Sequence, residues 1–340
     1  MRLLLIGAFI FVSSCLAQEK ALAGDTLDNV RQAGRLACGV NIEEADYSKS
    51  QTHGNLSALG LDVCKAVAAA VLGDAGKLTP VVLHDDPQSL EALKSGKIAL
   101  LAGGTPDLTN QAAFGVGFGP PVFLDGQGFL VHKATGVDSI TDLSGRQVCF
   151  LADTQAEQDL DDGLAQRGVS FRPFPFEETG EMEAALITGH CAAIAAPISA
   201  LANMRPGFHG RISQYEILPE TITLEPFVPV YRAGDPQWAA IVAWTIHALV
   251  LAEDAGVTQA NAAELRRNGR PEVRYLLGGA AGIGRPLGLD DDWALRAVQA
   301  VGNYGEVFDR DIGAASPLRL ERGRNALWTH GGMMFAPPIR

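Results

Sequence analysis

The chain has 340 residues, and its 27 Lys+Arg against 39 Asp+Glu leave a formal net charge of −12. With 19% charged and 47% hydrophobic residues it has the balance of a packed globular protein, and at roughly 100–200 residues per domain its length suggests two domains. The acidic balance argues against nucleic acid as the main partner, and the apolar stretch from Trp238 to Ala252 is too short to span a bilayer.

Met1-Arg2 supplies one positive charge, an apolar run follows from Leu3 to Val12, and then comes the polar Gln18-Glu19-Lys20. A short basic start with an apolar segment too brief for a stable span is the pattern of an export signal. Ala21-Leu22-Ala23 offers a small-residue cleavage site before Gly24, so residues 1–23 are expected to be removed. Val12-Ser13-Ser14-Cys15 also matches the run that precedes a lipidated cysteine, and anchoring through Cys15 is the competing reading. In either case the chain is exported.

Thr26 to Gln32 reads as a short helix, with Leu27, Val30 and Arg31 at helical spacing, and Arg35 to Val40 as an apolar strand. Ser57 to Leu72 is an alanine-rich helix stopped by Gly73. Strands over Leu78 to Leu83 and Lys97 to Leu101 flank a helix over Pro87 to Lys94. Such alternation indicates an α/β lobe with a parallel or mixed sheet covered on both faces. After the Gly/Pro-rich Gly115 to Pro121, the strand DGQGFLVHK (125–133) leaves this lobe.

A second α/β series has strands RQVCFL (146–151), SFRPFPF (170–176) and CAAIAA (191–196), with helices over Thr154 to Arg167 and Glu181 to Thr188. Leu218 to Arg232 returns as extended chain. Beyond Asp235 the pattern is helical, over Trp238 to Ala252, Asn261 to Arg267, Asp291 to Gly302 and from Asn303 onward. The chain therefore crosses between lobes twice, near 127–133 and 219–231, which makes a hinge with a cleft beside it. The expected division is 24–128 for the first part of lobe one, 129–224 for lobe two, and 225–340 for the return to lobe one with a helix-rich C-terminal extension.

Setting Cys15 aside, Cys38, Cys64, Cys149 and Cys191 are an even set in an oxidising compartment. Four cysteines allow three connectivities, and the sequence alone does not choose. Position favours Cys38–Cys64 and Cys149–Cys191, because each pair joins a predicted strand to an element of the same lobe. Free buried thiols are the rival. Metal ligation lacks a C-x-x-C, and His190 beside Cys191 has the wrong spacing. The seven histidines are scattered, with no metal spacing, and His247 reads as a satisfied core residue. GGAAGIG (278–284) is neither a dinucleotide nor a phosphate loop and reads as surface. No cofactor or metal is expected.

The stretches LACGVN, GLDVCKAVAAAVLGD and DGQGFLV, and the long tail QAVGNYGEVFDRDIGAASPLRLERGRNALWTHGGMMFAPPIR, resemble the general L-amino-acid-binding proteins of bacterial ABC importers. The resemblance runs from about Thr26 to Arg340. It implies a two-lobe periplasmic solute-binding fold that closes on a ligand, the two disulfides above, a small polar solute, an ABC permease as partner, and no catalysis. It also implies that an Arg following the third strand holds the ligand's carboxylate, since a bidentate Arg–carboxylate pair suits that task. Here that position is Asn110. The acidic residue that holds the ligand's ammonium after a strand of lobe two falls on Pro197. Both charged handles are absent, although Lys97, Lys133 or Asp153 could substitute from neighbouring positions.

The expected cleft residues are therefore Thr105, Asp107, Thr109 and Asn110 from one lobe and Asp153 and Thr154 from the other, because ligand crevices lie beyond the carboxyl ends of strands. Asp153 can equally be a helix cap. Three functions follow. The first is a solute-binding protein with an altered pocket, and the second is a degenerate fold that serves as an accessory or sensing module for a protein partner. The third, an enzyme on this fold, lacks an evident acid/base pair.

Overall fold

Two separate sheets form in the computed structural model, which describes residues 25–41, 56–208 and 211–339. The expected export signal and Cys15 lie outside the described residues. The chain opens with α1 (Thr26–Ala33), which ends at Gly34 in the left-handed region (φ 64°), a conformation that costs glycine little. It continues through β1 (Leu36–Asn41), α2 (Leu56–Leu72), β2 (Leu78–Leu83), α3 (Asp86–Lys94) and β3 (Leu100–Gly104). α3 starts where the Asp85 carboxylate accepts the Gln88 N–H at 2.7 Å and Pro87 takes a first-turn position that needs no donor. α4 (Leu108–Phe114), β4 (Val116–Phe118) and β5 (Phe123–Asp125) complete the first pass.

Lobe two contains β6 (Gln127–His132), β7 (Gln147–Leu151), α5 (Gln155–Ala165), β8 (Arg172–Phe176), α6 (Thr179–Ile187), β9 (Ala193–Pro197), α7 (Ile198–Met204) and β10 (Tyr215–Ile217). The chain returns along β11 (Glu225–Arg232) to α8 (Pro236–Asp254), α9 (Ala262–Asn268), α10 (Pro271–Leu276), α11 (Trp293–Val301) and α12 (Tyr304–Asp311). The first sheet has the order β2-β1-β3-β11-β4, with β5 also on β11, and the second has β10-β6-β9-β7-β8. β5 thus belongs to one sheet and β6 to the other, so the first crossing lies at Asp125–Gln127, just ahead of the boundary expected after 128.

α2 is apolar on nearly every side because it is covered on nearly every side. Ala66, Val67, Ala68 and Ala70 are all fully buried, and one core joins α2 to the sheet, α8, α11 and α12. Gly60 lets α2 lie against the Ala102 backbone of β3, where a Cβ would be 2.7 Å from the Ala102 carbonyl oxygen. The C-terminal extension therefore completes the first lobe's core. Trp238 of α8 is fully buried, and its indole N–H donates to the Ala99 carbonyl at 2.9 Å. No described helix is long and apolar enough to cross a membrane.

In lobe two the strand alternation sorts side chains to two faces. Phe129, Val131, Val148 and Phe150 pack with α5, whereas Leu130, Cys149 and Ile194 pack with α6 and α7. Both disulfides are present, Cys38–Cys64 with Cα atoms 6.4 Å apart and Cys149–Cys191 at 5.9 Å. Each ties a strand to its own lobe.

Three expectations are corrected. The strand expected over Lys97 to Leu101 is β3, which begins at Leu100 and runs on through Gly103 and Gly104, where the Phe227 ring of β11 occupies the space a side chain on Gly103 would need. The helix expected from Asn303 onward ends at Asp311, and single turns and irregular chain follow. His247 is not satisfied as expected of a core histidine: its Nδ1 is buried with no hydrogen-bond partner among the described residues, and burial lowers its pKa.

Candidate functional site

Strand direction places the crevice. β1, β2 and β3 run parallel, so their carboxyl ends lie along one edge of the first sheet, and β7, β8 and β9 do the same in the second. β6 and β11 run antiparallel to these sets and enter at those same edges, with Gln127 opposite Pro197 and Val228 opposite Gly104. Both crossings therefore leave each sheet at its strand-end edge. Loops beyond such ends are where α/β sheets receive ligands.

Thr105, Asp107, Thr109 and Asn110 follow β3. Asp107 caps α4, and its carboxylate accepts both the backbone N–H of Asn110 at 2.7 Å and the side-chain amide Nδ2 at 2.6 Å. One of the amide's two N–H donors is thus engaged by a carboxylate three residues back. Thr105 and Thr109 are exposed, whereas Asp107 and Asn110 are half-buried.

Asp153 and Thr154 follow β7. Thr154 occupies the N-cap of α5, and its hydroxyl donates to the Leu151 carbonyl at 2.8 Å. Asp153 is exposed, lies in the left-handed region (φ 55°), and donates its N–H to Glu157 Oε2 at 3.1 Å. It breaks the chain between strand and helix rather than capping the helix. The structure brings the first four residues together on lobe one and the last two together on lobe two. Among the described residues no hydrogen bond or ion pair links the two groups.

Pro197 ends β9 and is the N-cap of α7, with neither a charge nor an N–H to offer. Two of the conceivable substitutes stand at the wrong ends of their sheets. Lys97 precedes β3, whereas Thr105 follows it. Lys133 follows β6, at the end away from Gln127, with its ammonium 3.7 Å from Glu216. Asp153 alone stands at a strand end.

Sequence reasoning missed the hinge residues. Asp125 ends β5 in the first sheet, and its carboxylate accepts the Ser199 hydroxyl at 2.5 Å and N–H at 3.2 Å, at the start of α7 in lobe two. Burial raises the Asp125 pKa, and the hydrogen bonds from Ser199 and Gly126 oppose that rise. Gly126 has φ 156°, and a Cβ there would overlap the Thr223 carbonyl of the second crossing. Gln127 then donates its N–H to the Thr223 hydroxyl at 2.8 Å. An acid and a glycine stand out in the crossing segment, but their partners Ser199 and Thr223 lie far along the chain and have no local signal.

Two α/β lobes, joined by two crossing segments at their strand-end edges, define a two-lobe solute-binding protein. No protein-family model matches the chain. It is 38% identical over 341 residues to the general L-amino acid-binding periplasmic protein AapJ of Rhizobium johnstonii, covering 99% of each. It is 38% identical over 322 residues to the glutamate/glutamine/aspartate/asparagine-binding protein BztA of Rhodobacter capsulatus, covering 94% of this chain and 95% of that one. Among solved structures, the periplasmic binding protein of an ABC transporter from Brucella ovis, with glutathione bound, has a TM-score of 0.73 at 35% identity and matches 93% of this chain and 100% of its own. The chain belongs to the amino-acid-binding periplasmic proteins of ABC transporters, which bind solutes and are not enzymes.

Proposed function

We propose that this protein carries a polar solute other than an ordinary free L-amino acid to an ABC permease, binding it between the strand-end loops of its two lobes. The observation that carries this reading is the Asn110–Asp107 pair. A carboxylate arriving at Asn110 meets an amide that already gives one of its two N–H donors to the Asp107 carboxylate at 2.6 Å, so it would bind beside that carboxylate. Like charges at such range repel, and position 110 itself carries no guanidinium to offset the desolvation of the incoming group. On the facing lobe, Pro197 has no charge for an ammonium. Losing two charge-assisted contacts, each worth about 1.5–3 kcal/mol, removes roughly two or more orders of magnitude in affinity.

The relative that holds glutathione supports the wider ligand range, since glutathione is an amino-acid conjugate and not a free amino acid. Leu108 at the start of α4 is 80% exposed and Leu224 in the second crossing 45%, and both supply contact surface for the apolar part of such a solute. Calorimetry on refolded, ligand-free mature protein tests the proposal, with the twenty amino acids, glutathione, small amides and amines as titrants. A micromolar isotherm is expected outside the twenty amino acids. A clean micromolar isotherm with any one of the twenty overturns it.

A further inference from the structure

A cavity of about 400 Å³ lies on another part of the molecule, and none of the proposed cleft residues lines it. One wall is lobe two, at β10 and the chain that leads to it, and the other is residues 319–325 of the C-terminal extension. That extension is fastened to the first lobe. Asn325 exchanges two hydrogen bonds with the Leu124 backbone, at 2.7 and 3.1 Å, and Arg322 pairs with Glu253 of α8 at 3.1 Å.

The lining is cationic. Lys133, Arg205, Arg319, Arg322 and Arg324 face only two carboxylates, Glu216 and Glu321. Lys133 is 3.7 Å from Glu216, Arg322 is taken by Glu253, and Arg324 donates to the Thr223 carbonyl at 3.3 Å. Arg205 and Arg319 have no carboxylate within ion-pair distance among the described residues. The Nε of Arg205 is buried with no hydrogen-bond partner among the described residues. A buried guanidinium N–H without an acceptor is costly, and an acceptor that enters the cavity would remove that cost.

Two further observations agree. Arg319 has φ 47°, in the left-handed region where a non-glycine residue is strained, so the fold holds it there against its preference. Burial lowers the pKa of Arg205, and although Glu321 and Glu216 oppose this, neighbouring Arg319 adds to it. The two guanidiniums therefore repel across the cavity, and a small oxyanion between them would relieve both the repulsion and the open donor.

We propose that this cavity is a second binding site, separate from the solute cleft, for a small oxyanion with at least two acceptor oxygens, held by Arg205 and Arg319. Carboxylate and phosphate ligands share that chemistry.

Calorimetry on the mature chain at low ionic strength, with succinate and inorganic phosphate in separate titrations, tests the site and tells the two sources apart. Saturable binding of at least one is expected, weakened about tenfold or more by Arg205→Gln and by Arg319→Gln. Lys97→Gln, which removes a cation outside this cavity, should leave the isotherm unchanged and so controls for net charge. Circular dichroism checks each variant, and Arg319→Gln carries the test if Arg205→Gln does not fold. The proposal is overturned if neither anion titrates saturably, if the isotherm survives the arginine substitutions, or if Lys97→Gln weakens it equally.

Discussion

Asp311 of α12 is completely buried and hydrogen-bonded to Asp62 of α2, whose own carboxylate is held by Lys65 at 2.6 Å and by Arg310. This contact ties the C-terminal extension to the long helix of the first lobe. Burial, reinforced by the Asp62 charge, pushes the Asp311 pKa up to about 8, against the opposing pull of Arg310 and Lys65. In the unfolded chain an aspartate titrates near ~3.9. The folded state therefore holds this proton more tightly, so the contribution is fully present below about pH 4 and is lost as pH rises through about 8.

Asp311→Asn mimics the protonated acid. It should be nearly neutral for stability at pH 4 and stabilising at pH 8, by at least about 1.4 kcal/mol, the value of a single pKa unit. Urea unfolding of both proteins across that range measures it. A constant difference between the two curves would remove Asp311 as the source of the dependence.

Each disulfide should stabilise its own lobe by roughly 2–4 kcal/mol. Cys38 and Cys64 are completely buried, so reductant should reach this bridge only when the lobe opens. The paired replacement Cys38→Ser with Cys64→Ser should lower the denaturation midpoint, as should the equivalent pair at Cys149 and Cys191. Mass spectrometry of the unreduced digest should find only these two linkages among the four cysteines, and a crosslink between lobes would contradict the fold.

Gly126→Ala should be more costly than Gly136→Ala. Both positions have positive φ, 156° and 68°, but only the first would drive its Cβ into backbone, the Thr223 carbonyl. The expected losses are about 1 kcal/mol at Gly136, from conformation alone, and about 1–3 kcal/mol more at Gly126, from overlap. Chemical denaturation of the two variants side by side ranks them.

Much of this architecture was legible because apolar periodicity reports directly on which faces are buried. β2 falls on its expected residues, and α1, α2 and α3 lie within a residue or so of theirs. α4 was hidden because its seven residues carry no apolar stripe, although Asp107 three residues before Asn110 is a capping pattern. α7 was hidden behind the strand it follows, since Ile198 to Met204 continues the apolar run of β9 past Pro197. The hinge depends on contacts between residues far apart in the chain, Asp125 with Ser199 and Gly126 with Thr223, and local pattern carries no trace of those. The proposed loss of charged handles at Asn110 and Pro197 is read from the sequence alone. That Asp107 bonds the Asn110 amide is seen only in the structure.

On the proposed function, that last contact decides how a site for free L-amino acids could be built. Asn110→Arg alone places a guanidinium on lobe one, but Asp107 already bonds the side chain at 110 and would take the new fork as a partner. The single variant should therefore gain little affinity for free L-amino acids. Replacing Asp107 with Thr as well keeps an acceptable N-cap for α4 and releases the guanidinium for a ligand carboxylate. Pro197→Asp then supplies the ammonium's partner, at an N-cap position where Asp is favoured. The triple variant Asp107→Thr, Asn110→Arg, Pro197→Asp should gain roughly a hundredfold or more for at least one ordinary amino acid, from two charge-assisted contacts. Calorimetry on the parent, the single and the triple variants, each shown folded by circular dichroism, reads the outcome. Micromolar binding by Asn110→Arg alone would show that Asp107 does not neutralise the site. A folded triple variant that binds none of the twenty would show that positions 110 and 197 do not face a common ligand.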